Sequence, residues 1–388
     1  MIKYLGSKRR LVPVLARICA ASGATTALDL FTGTTRVAQA FKAQGVHVTA
    51  VDTARYSHVF AQCYIEADAA ATDVRALRAA ITHLNAIPGK PGYVHDTFSQ
   101  DARFFQPFNA ARIDAVRDAI DSAYAGSPLF PILLTSLIEA ADRVDSTTGV
   151  QMAYVKSWAP RSARPLELRA PQLLAGGGLA VRGDALEVAG ALGRFDLAYL
   201  DPPYNQHRYF TNYHVWETLV AWDAPEAYGV ACKRVDARDD PSTRSAFNSK
   251  RTMAGALASV VGSVECDLLV LSYNDESWLG VEELEALCGA GSGGETVGRE
   301  VATLAFDSAR YVGARIGIHD PSGRKVGTVG HLSNQELLVI AGGADLVRHV
   351  VAAVGAAVEA GVGAAVGTVV GAAGAGEPIG ALTADRLQ

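Results

Sequence analysis

The chain has 388 residues, of which 49% are hydrophobic and 19% are charged, and this composition excludes a wholly disordered protein. A length of this order favours about two to three domains. The 35 Lys and Arg residues are outnumbered by 40 Asp and Glu residues, so a globally basic protein that coats nucleic acid is excluded, although a local basic face is not.

Cysteine usage and the N-terminal residues point to a reducing compartment. The five cysteines lie far apart and form no C-x-x-C pair, which argues against a disulfide framework and against a zinc site. The opening segment MIKYLGSKRR lacks the apolar stretch of a signal peptide. We therefore expect a cytoplasmic protein without a metal centre.

The first 60 residues predict the start of an alternating α/β unit. A helix is expected behind the segment KYLGSK, because apolar residues recur there at helical spacing. Thr25–Phe31 is a short β-prone run that ends in a glycine-containing turn, and a second helix follows. Val46–Val51 alternates as a strand and ends at Asp52. This order of strand, glycine turn, helix, strand and acid is typical of a doubly wound nucleotide-binding sheet.

Residues 64–178 break this rhythm. The segment is rich in Ala, Arg and Asp, and it predicts helices near residues 72–84, 110–124 and 130–143. We interpret it as an inserted, mainly helical subdomain and not as a continuation of the sheet.

The strand pattern returns after this insert. Leu179–Asp184 is a predicted strand, and so is Phe195–Leu200, which runs directly into the tetrapeptide Asp201-Pro202-Pro203-Tyr204. Ligands of open α/β sheets bind at the carboxyl ends of the strands, so the tetrapeptide occupies a position where ligand contacts are expected.

Three strands are predicted nearer the C-terminus. Leu268–Tyr273 reads as a buried strand. Val301–Phe306 and Glu336–Ile340 are expected to pair as a closing antiparallel hairpin across a turn at residues 319–324.

Residues 346–388 form a tail rich in Ala, Gly and Val. The part from Val350 to Gly376 is long enough for a membrane span, and Glu359 is its only charge. However, Ala and Gly drive membrane insertion weakly, and a carboxylate within the segment opposes it. We expect a loosely helical or disordered tail that does not enter a membrane.

The tetrapeptide that begins at Asp201 carries the sharpest chemical signal. Its two prolines hold the backbone in a rigid extended turn and remove two N–H donors, so the carboxylate of Asp201 and the carbonyl group of Pro202 remain as acceptors. Tyr204 adds a flat aromatic face beside them. Such an array suits the exocyclic amino group of a planar base. The alternative is a Pro-Pro turn whose Asp caps a helix.

These residues resemble a known family. The D-P-P-Y tetrapeptide, the N-terminal KYLGSK and the turn DLFTGTT occur in the order found in the Dam-like, alpha-group adenine-N6 DNA methyltransferases. The later segments NQHRYFTNYHVWETL, FNSKR and LSYNDE further resemble the branch that includes modification enzymes of type IIS restriction systems. The resemblance covers residues 1–60 and 180–340.

The resemblance implies a fold and a domain organisation. It implies a Rossmann-like α/β methyltransferase core, formed by residues 1–63 and 179–345, that binds S-adenosyl-L-methionine. Residues 64–178 would form a helical target-recognition insert, and residues 346–388 a separate tail.

Site residues follow from the matching positions of the motifs. The resemblance assigns catalysis to Asp201, Pro202 and Tyr204, and it assigns cofactor contacts to Tyr4, Lys8, Phe31, Gly33, Asp52, Asp184 and Asp201. An ammonium can pair with the methionine carboxylate, an aromatic can line the pocket, and an acid after the second strand can accept the ribose hydroxyls. The family often has a second glycine where this chain has Thr35. Alternatives remain open for three of these residues: a solvated helix start for Lys8, an exposed strand end for Asp52 and a helix N-cap for Asp184.

Two basic stretches are the candidates for contact with double-stranded DNA, residues 155–169 and residues 228–256, and each has a local excess of three positive charges. Lys233, Arg234, Lys250 and Arg251 lie in the second stretch. An excess of this kind on a net-acidic protein indicates a groove for the phosphate backbone. We expect the second stretch to lack regular structure until about Met253 and to close on DNA. Solvated loop charges are the alternative.

The sequence therefore predicts a site-specific adenine-N6 DNA methyltransferase of a restriction-modification or epigenetic system. It would act as a monomer and could serve beside a cognate restriction endonuclease. Methylation of the cytosine amino group or of adenine in RNA is the nearest alternative, because the same acceptors serve any aromatic amine. An alternative of a different class is a catalytically silent DNA-binding module.

Overall fold

A computed structural model describes residues 2–4, 8–152, 154, 157–204, 206, 208–275, 277–290, 298–309, 333–359 and 367–372. The chain divides into two compact units, each assembled from separate segments. The first unit comprises Met1–Ser7, Thr32–Gly183 and His207–Ser245. The second unit comprises Lys8–Phe31, Asp184–Gln206 and Ala246–Gln388.

Except for two strands of two residues each, the strands occur where the sequence places apolar, β-prone runs. In chain order they are β1 (Thr26–Asp29), β2 (His47–Asp52), β3 (Leu179–Arg182), β4 (Arg194–Leu200), β5 (Ala227–Tyr228), β6 (Lys233–Arg234), β7 (Glu265–Asn274), β8 (Glu300–Ala309), β9 (Ser333–Gly342) and β10 (Gly367–Ala372).

Helices occupy about half of the described residues outside the strands. They are α1 (Val12–Ser22), α2 (Arg36–Lys42), α3 (Arg55–Ala61), α4 (Val74–Ala86), α5 (Tyr93–His95), α6 (Pro107–Tyr124), α7 (Phe130–Val144), α8 (Ala185–Val188), α9 (Tyr209–Asn212), α10 (His214–Ala221), α11 (Asp236–Asp239), α12 (Met253–Ser263), α13 (Val281–Gly289) and α14 (Ala344–Glu359). Short 3₁₀ turns lie at Lys8–Arg10, Pro160–Ala163, Ala189–Ala191, Pro241–Thr243 and Ala246–Asn248, and π-helical turns at Gln62–Glu66 and Asp96–Asp101.

The second unit contains the strand that carries the D-P-P-Y turn. Strand β4 lies between β1 and β7 and is parallel to both. It is buried from Leu197 to Leu200, as expected of a central parallel strand that has no solvent-facing side. Asp201 therefore emerges at the carboxyl end of a strand that is hydrogen-bonded on both edges.

The predicted closing hairpin is present in the second unit. Strand β9 is antiparallel to both β7 and β8, and its Glu336 is opposite Asn274 of β7 and Phe306 of β8. The predicted turn at residues 319–324 lies outside the described residues. The mixed α/β, Rossmann-like class predicted from the sequence is confirmed.

The first unit contains the strand that ends at Asp52. Strand β2 is parallel to β3, and Asp52 is opposite Arg182 in their register. Helix α3 follows β2 directly and belongs to a large apolar cluster, in which its Phe60 is buried together with Leu137 of α7 and Trp216 of α10.

Helices α4, α6 and α7 lie where the helical insert was predicted. Helix α4 shows why this part of the chain is helical: Asp73 accepts hydrogen bonds from the N–H groups of its first turn, and Leu77, Ala80 and Leu84 form one buried face. Residues 64–178 nevertheless do not form a compact unit of their own, because they share one apolar core with α3 and α10.

The C-terminal tail begins with a regular helix. Helix α14 continues to Glu359, so the expectation of a loose tail does not hold for this part. In the part of the chain that the structure describes, no helix combines the length and the apolar character needed to span a bilayer.

Replacement of Gly178 by alanine should destabilise the first unit by about 1–3 kcal/mol. Gly178 precedes β3, and a Cβ atom there would lie 2.6 Å from the carbonyl oxygen of Val48 and 2.8 Å from two atoms of Ile65. Backbone atoms cannot yield as a flexible side-chain end can. Urea unfolding measures the effect, and Gly177→Ala is the matched control, because its added Cβ meets no atom within 4 Å. Equal stability of the two variants would contradict this packing.

Candidate active site

In the second unit, Asp201 belongs to a buried cluster of two ion pairs that share one cation. Its side chain is 19% exposed, and Oδ1 is 3.1 Å from Nζ of Lys8, which is 6% exposed. The same ammonium is 2.8 Å from Oε2 of Glu336 on β9. One cation thus lies between two carboxylates that come from distant parts of the sequence.

An aromatic ring borders this cluster. Tyr204 packs edge-on against Tyr273 of β7, with ring centroids 5.5 Å apart, and Nζ of Lys8 lies 5.5 Å from the Tyr204 centroid. The turn therefore combines a carboxylate acceptor with a ring that is packed on one side. Pro202, the second residue of this turn, is buried.

Burial and charge shift the pKa values of this cluster in predictable directions. Burial raises the pKa of Asp201 to about 6; Lys8 opposes that shift, and Glu336 adds to it. Burial alone would lower the pKa of Lys8, but Asp201 and Glu336 outweigh it and hold that pKa well above its usual value. Asp201 is therefore an ionised acceptor above about pH 6 and loses that form as the pH falls through this value.

In the first unit, Asp52, Gly33 and Tyr4 come together. The Asp52 carboxylate accepts hydrogen bonds from the N–H groups of Gly33 and Ala54, each at 2.9 Å. Gly33 has a φ of +50°, and a Cβ atom there would lie 3.2 Å from Cε1 of Tyr4. Glycine thus permits both the left-handed turn and the close approach of the aromatic ring.

Tyr4 belongs to a group of stacked tyrosines. Its ring lies 4.6 Å from that of Tyr213 and 5.4 Å from that of Tyr209, with interplanar angles of 15° and 22°. The hydroxyl groups of Tyr4 and Tyr56 are 3.3 Å apart. The three partners did not emerge from the sequence analysis, although Tyr209 and Tyr213 lie in a segment that the resemblance singled out.

A buried glutamate supports the backbone that follows Asp52. Glu217 on α10 accepts hydrogen bonds from the N–H groups of Arg55 and Tyr56 in the first turn of α3. Burial raises the pKa of Glu217 to about 7, while these N–H groups and the Arg55 side chain oppose the shift. Glu217 thus fixes the start of the helix that follows the Asp52 loop.

The remaining predicted cofactor residues lie in the second unit with contacts of their own. The Phe31 ring packs edge-on against Phe247, with centroids 5.1 Å apart. The Asp184 carboxylate accepts a hydrogen bond from the N–H group of Leu186 at the start of α8, which is the helix-capping alternative. Neither contact identifies a cofactor.

The predicted DNA-binding stretch at residues 228–256 has regular structure, so the expectation of a structureless loop was wrong. It contains part of the β5–β6 hairpin, α11, two 3₁₀ turns and the start of α12. Arg234 is 4% exposed and pairs with Asp223 and Asp236 at 2.7 Å each. Since both carboxylates already neutralise this guanidinium, its predicted contact with phosphate is withdrawn. Lys250 and Arg251 are exposed.

Comparison with known families gives an extended match. The sequence profile of the family described as D12 class N6 adenine-specific DNA methyltransferase matches residues 4–287, which is more than half of the chain. This range includes both the Asp52 and the Asp201 segments.

Individual relatives point the same way. The chain is 28% identical over 301 residues to Modification methylase StsI of Streptococcus sanguinis, covering 73% of this chain and 45% of that protein. It is 27% identical over 301 residues to Type II methyltransferase M.NlaIII of Neisseria lactamica, covering 74% and 87%. It is 26% identical over 307 residues to Type II methyltransferase M.FokI of Planomicrobium okeanokoites, covering 74% and 46%. The matched region thus spans about half the length of two of these relatives and most of the third.

Proposed function

The chain belongs to the D12 class N6 adenine-specific DNA methyltransferases, and on this premise we propose that it transfers a methyl group from S-adenosyl-L-methionine to the exocyclic amino group of adenine in double-stranded DNA. The observation that carries the proposal is the Asp201 carboxylate beside the Tyr204 ring, with Lys8 as its ionic partner. A fixed acceptor next to a planar ring suits an aromatic amine.

The target adenine must leave the base stack, because its amino group cannot otherwise reach the acceptor. In our proposal Tyr204 stacks on the extruded base, while the Asp201 carboxylate and the Pro202 carbonyl group accept the two amino hydrogens. These contacts direct the nitrogen lone pair towards the methyl group. Catalysis then depends on positioning and on a preorganised acceptor and not on a strong base.

The residues around Asp52 fit the nucleoside part of the cofactor. Each oxygen of the Asp52 carboxylate accepts one backbone hydrogen bond and keeps capacity for a ribose hydroxyl. Gly33 lets the backbone come close, and the Tyr4 ring supplies an apolar wall. When bound, S-adenosyl-L-methionine supplies an electrophilic methyl group on a sulfonium sulfur. For Lys8, which the sequence assigned to the methionine carboxylate, the ion pairs support a role at Asp201 instead.

A direct test incubates the protein with double-stranded DNA and S-adenosyl-L-methionine that carries a labelled methyl group. The expected product is N6-methyladenine, identified by mass spectrometry after digestion to nucleosides, and methylation-sensitive sequencing then reports the sequence context. Label on cytosine would favour the alternative amine substrate. DNA binding without label would identify a silent binding module.

The similarity to modification methylases supports a role in restriction-modification. We therefore propose that the chain protects DNA sites from a cognate endonuclease. DNA from expressing cells should then resist cleavage by that endonuclease at the methylated sequence.

We propose that Lys250 and Arg251 contact the phosphate backbone. Changing both to alanine should flatten the dependence of log affinity on log salt by about one to two units, because each phosphate contact contributes about 0.9. Binding titrations at several salt concentrations measure the slope, and Arg348→Ala on α14 serves as a control that removes an exposed positive charge elsewhere. The variant should still prefer the sequence that the wild-type protein methylates, because contacts with the phosphate backbone do not read bases. An unchanged slope would exclude these two residues as phosphate contacts.

A further inference from the structure

Three charged side chains form a linked cluster at the D-P-P-Y turn. The Lys8 ammonium is 3.1 Å from Asp201 and 2.8 Å from Glu336, and it is almost completely buried. Nδ2 of Asn274 lies 3.4 Å from the other oxygen of Glu336. Glu336 therefore has defined partners on both sides, although its own side chain is 15% exposed.

The charge balance of this cluster gives Glu336 an effect on the acceptor strength of Asp201. A buried ammonium paired with Asp201 alone would stabilise that carboxylate as an anion, lower its proton affinity and so make it a weaker acceptor. With a second carboxylate at a shorter distance, Lys8 divides its attraction between two anions. Asp201 is thereby held in place and still retains acceptor strength for a substrate amine.

Other titratable groups around Asp201 do not supply this effect. Those that face it or its neighbours from the adjoining strands and the turn are Tyr199, Tyr204, Asp29 and Tyr273. Burial raises the pKa values of Tyr199 and Tyr204, so both phenols are neutral in the working pH range. The charges that act directly on Asp201 are those of Lys8 and Glu336.

We infer that Glu336 is a positioning residue for methyl transfer, which holds Lys8 so that the ammonium orients the Asp201 carboxylate without consuming its acceptor capacity. The inference rests on the proposed function, in which Asp201 accepts hydrogen bonds from the adenine amino group. Glu336 itself does not touch the substrate.

The test is Glu336→Gln, which keeps the shape of the side chain and removes its charge. The turnover number at pH 8 should fall about five- to twentyfold, because Asp201 becomes a weaker acceptor. The acid limb of the pH–rate profile should move to lower pH by about half to one pH unit, because the anion that raised the pKa of Asp201 is gone. The rate ratio of variant to wild type should therefore rise as the pH falls. A loss that is the same at every pH would overturn the inference.

Two further variants separate this effect from general damage. Glu265→Gln removes an exposed carboxylate at the start of β7 in the same unit and should leave the profile unchanged. Glu336→Asp keeps the charge on a side chain that is one methylene shorter, so its acid limb should lie between those of the wild type and Glu336→Gln. An acid limb at lower pH than that of Glu336→Gln would show that charge is not the property that matters, and the inference would fail.

A measurement without turnover distinguishes this inference from the proposed function. Infrared difference titration of the wild type against Asp201→Asn isolates the carboxyl stretch of Asp201. Its midpoint should lie near pH 6 in the wild type and lower in the Glu336→Gln background. A midpoint that does not move would overturn the role of Glu336 even in an active enzyme. A shifted midpoint in a protein that does not methylate adenine would uphold the electrostatic link and refute the proposed function.

Discussion

Replacement of Asp201 by alanine should lower the rate of methyl transfer to DNA by about 10²–10⁴-fold. In our proposal the carboxylate contacts the amino group while its nitrogen gains positive charge, so the lost interaction is strongest in the transition state. Affinity for S-adenosyl-L-methionine should stay within about tenfold, because the nucleoside contacts proposed for the first unit are unchanged. Single-turnover incorporation of a labelled methyl group measures the rate, and calorimetry measures the affinity.

The structure indicates that this variant will fold. Without Asp201, the buried Lys8 ammonium still pairs with Glu336 at 2.8 Å, so no uncompensated charge is created. Asp267→Ala is a suitable control, because this carboxylate is 48% exposed on β7 of the same unit and its ion pair with Arg194 contributes little to stability. Near-normal turnover of the Asp201 variant would end its assignment as the acceptor.

Much of the fold was accessible from the sequence, because its signals are local. The run FDLAYL is apolar throughout and therefore predicts a buried strand, and β4 occupies it. Asp52 was predicted at a strand end, and β2 ends at that residue. Similarly, the apolar spacing and the capping residue of α4 lie within a few positions of each other.

Contacts between distant residues were not accessible in the same way. Lys8 and Glu336 are 328 positions apart, and nothing near either residue indicates that they pair. The two strands that bring Glu336 to the turn were predicted, but their register against β7 was not. The sequence therefore singled out Asp201 and Lys8 separately, with Lys8 assigned to the cofactor, and it predicted neither their contact nor the second anion, Glu336.

The net charge of residues 228–256 is a poor guide to the positive charge that this part of the chain exposes. The stretch has a local excess of Lys and Arg, yet Arg234 is buried between Asp223 and Asp236. Asp223 lies outside residues 228–256, and the β5–β6 hairpin brings it close to Arg234. Net charge over a window predicts a basic surface only when its side chains reach solvent.

The division into units also depends on long-range packing. The helices of residues 64–178 were recognised from their own periodicity. Whether they stand alone depends on what covers their apolar faces, and here α3 and α10 share their core. Periodicity shows that a helix has a buried face without showing what it packs against.

Replacement of Asp52 by alanine should weaken the binding of S-adenosyl-L-methionine by about 1–3 kcal/mol, or about 5- to 150-fold. The residue has two roles in the structure that this change removes together. Its carboxylate is the acceptor proposed for the ribose hydroxyls, and it also receives the N–H groups of Gly33 and Ala54. Calorimetric titration of the cofactor measures the loss.

Two comparison variants separate those roles. Asp52→Asn keeps one carbonyl oxygen but removes the charge and places a donor beside a ribose hydroxyl, so it should lose a large part of the affinity with less effect on the turn. Asp73→Ala removes the carboxylate cap of α4 in the same unit and should cost about 1 kcal/mol of stability without changing cofactor affinity. Equal affinity losses at Asp52 and Asp73 would trace the effect to stability alone. Unchanged affinity in both Asp52 variants would place the ribose elsewhere, and the glycine turn with its aromatic neighbour would then need a different explanation.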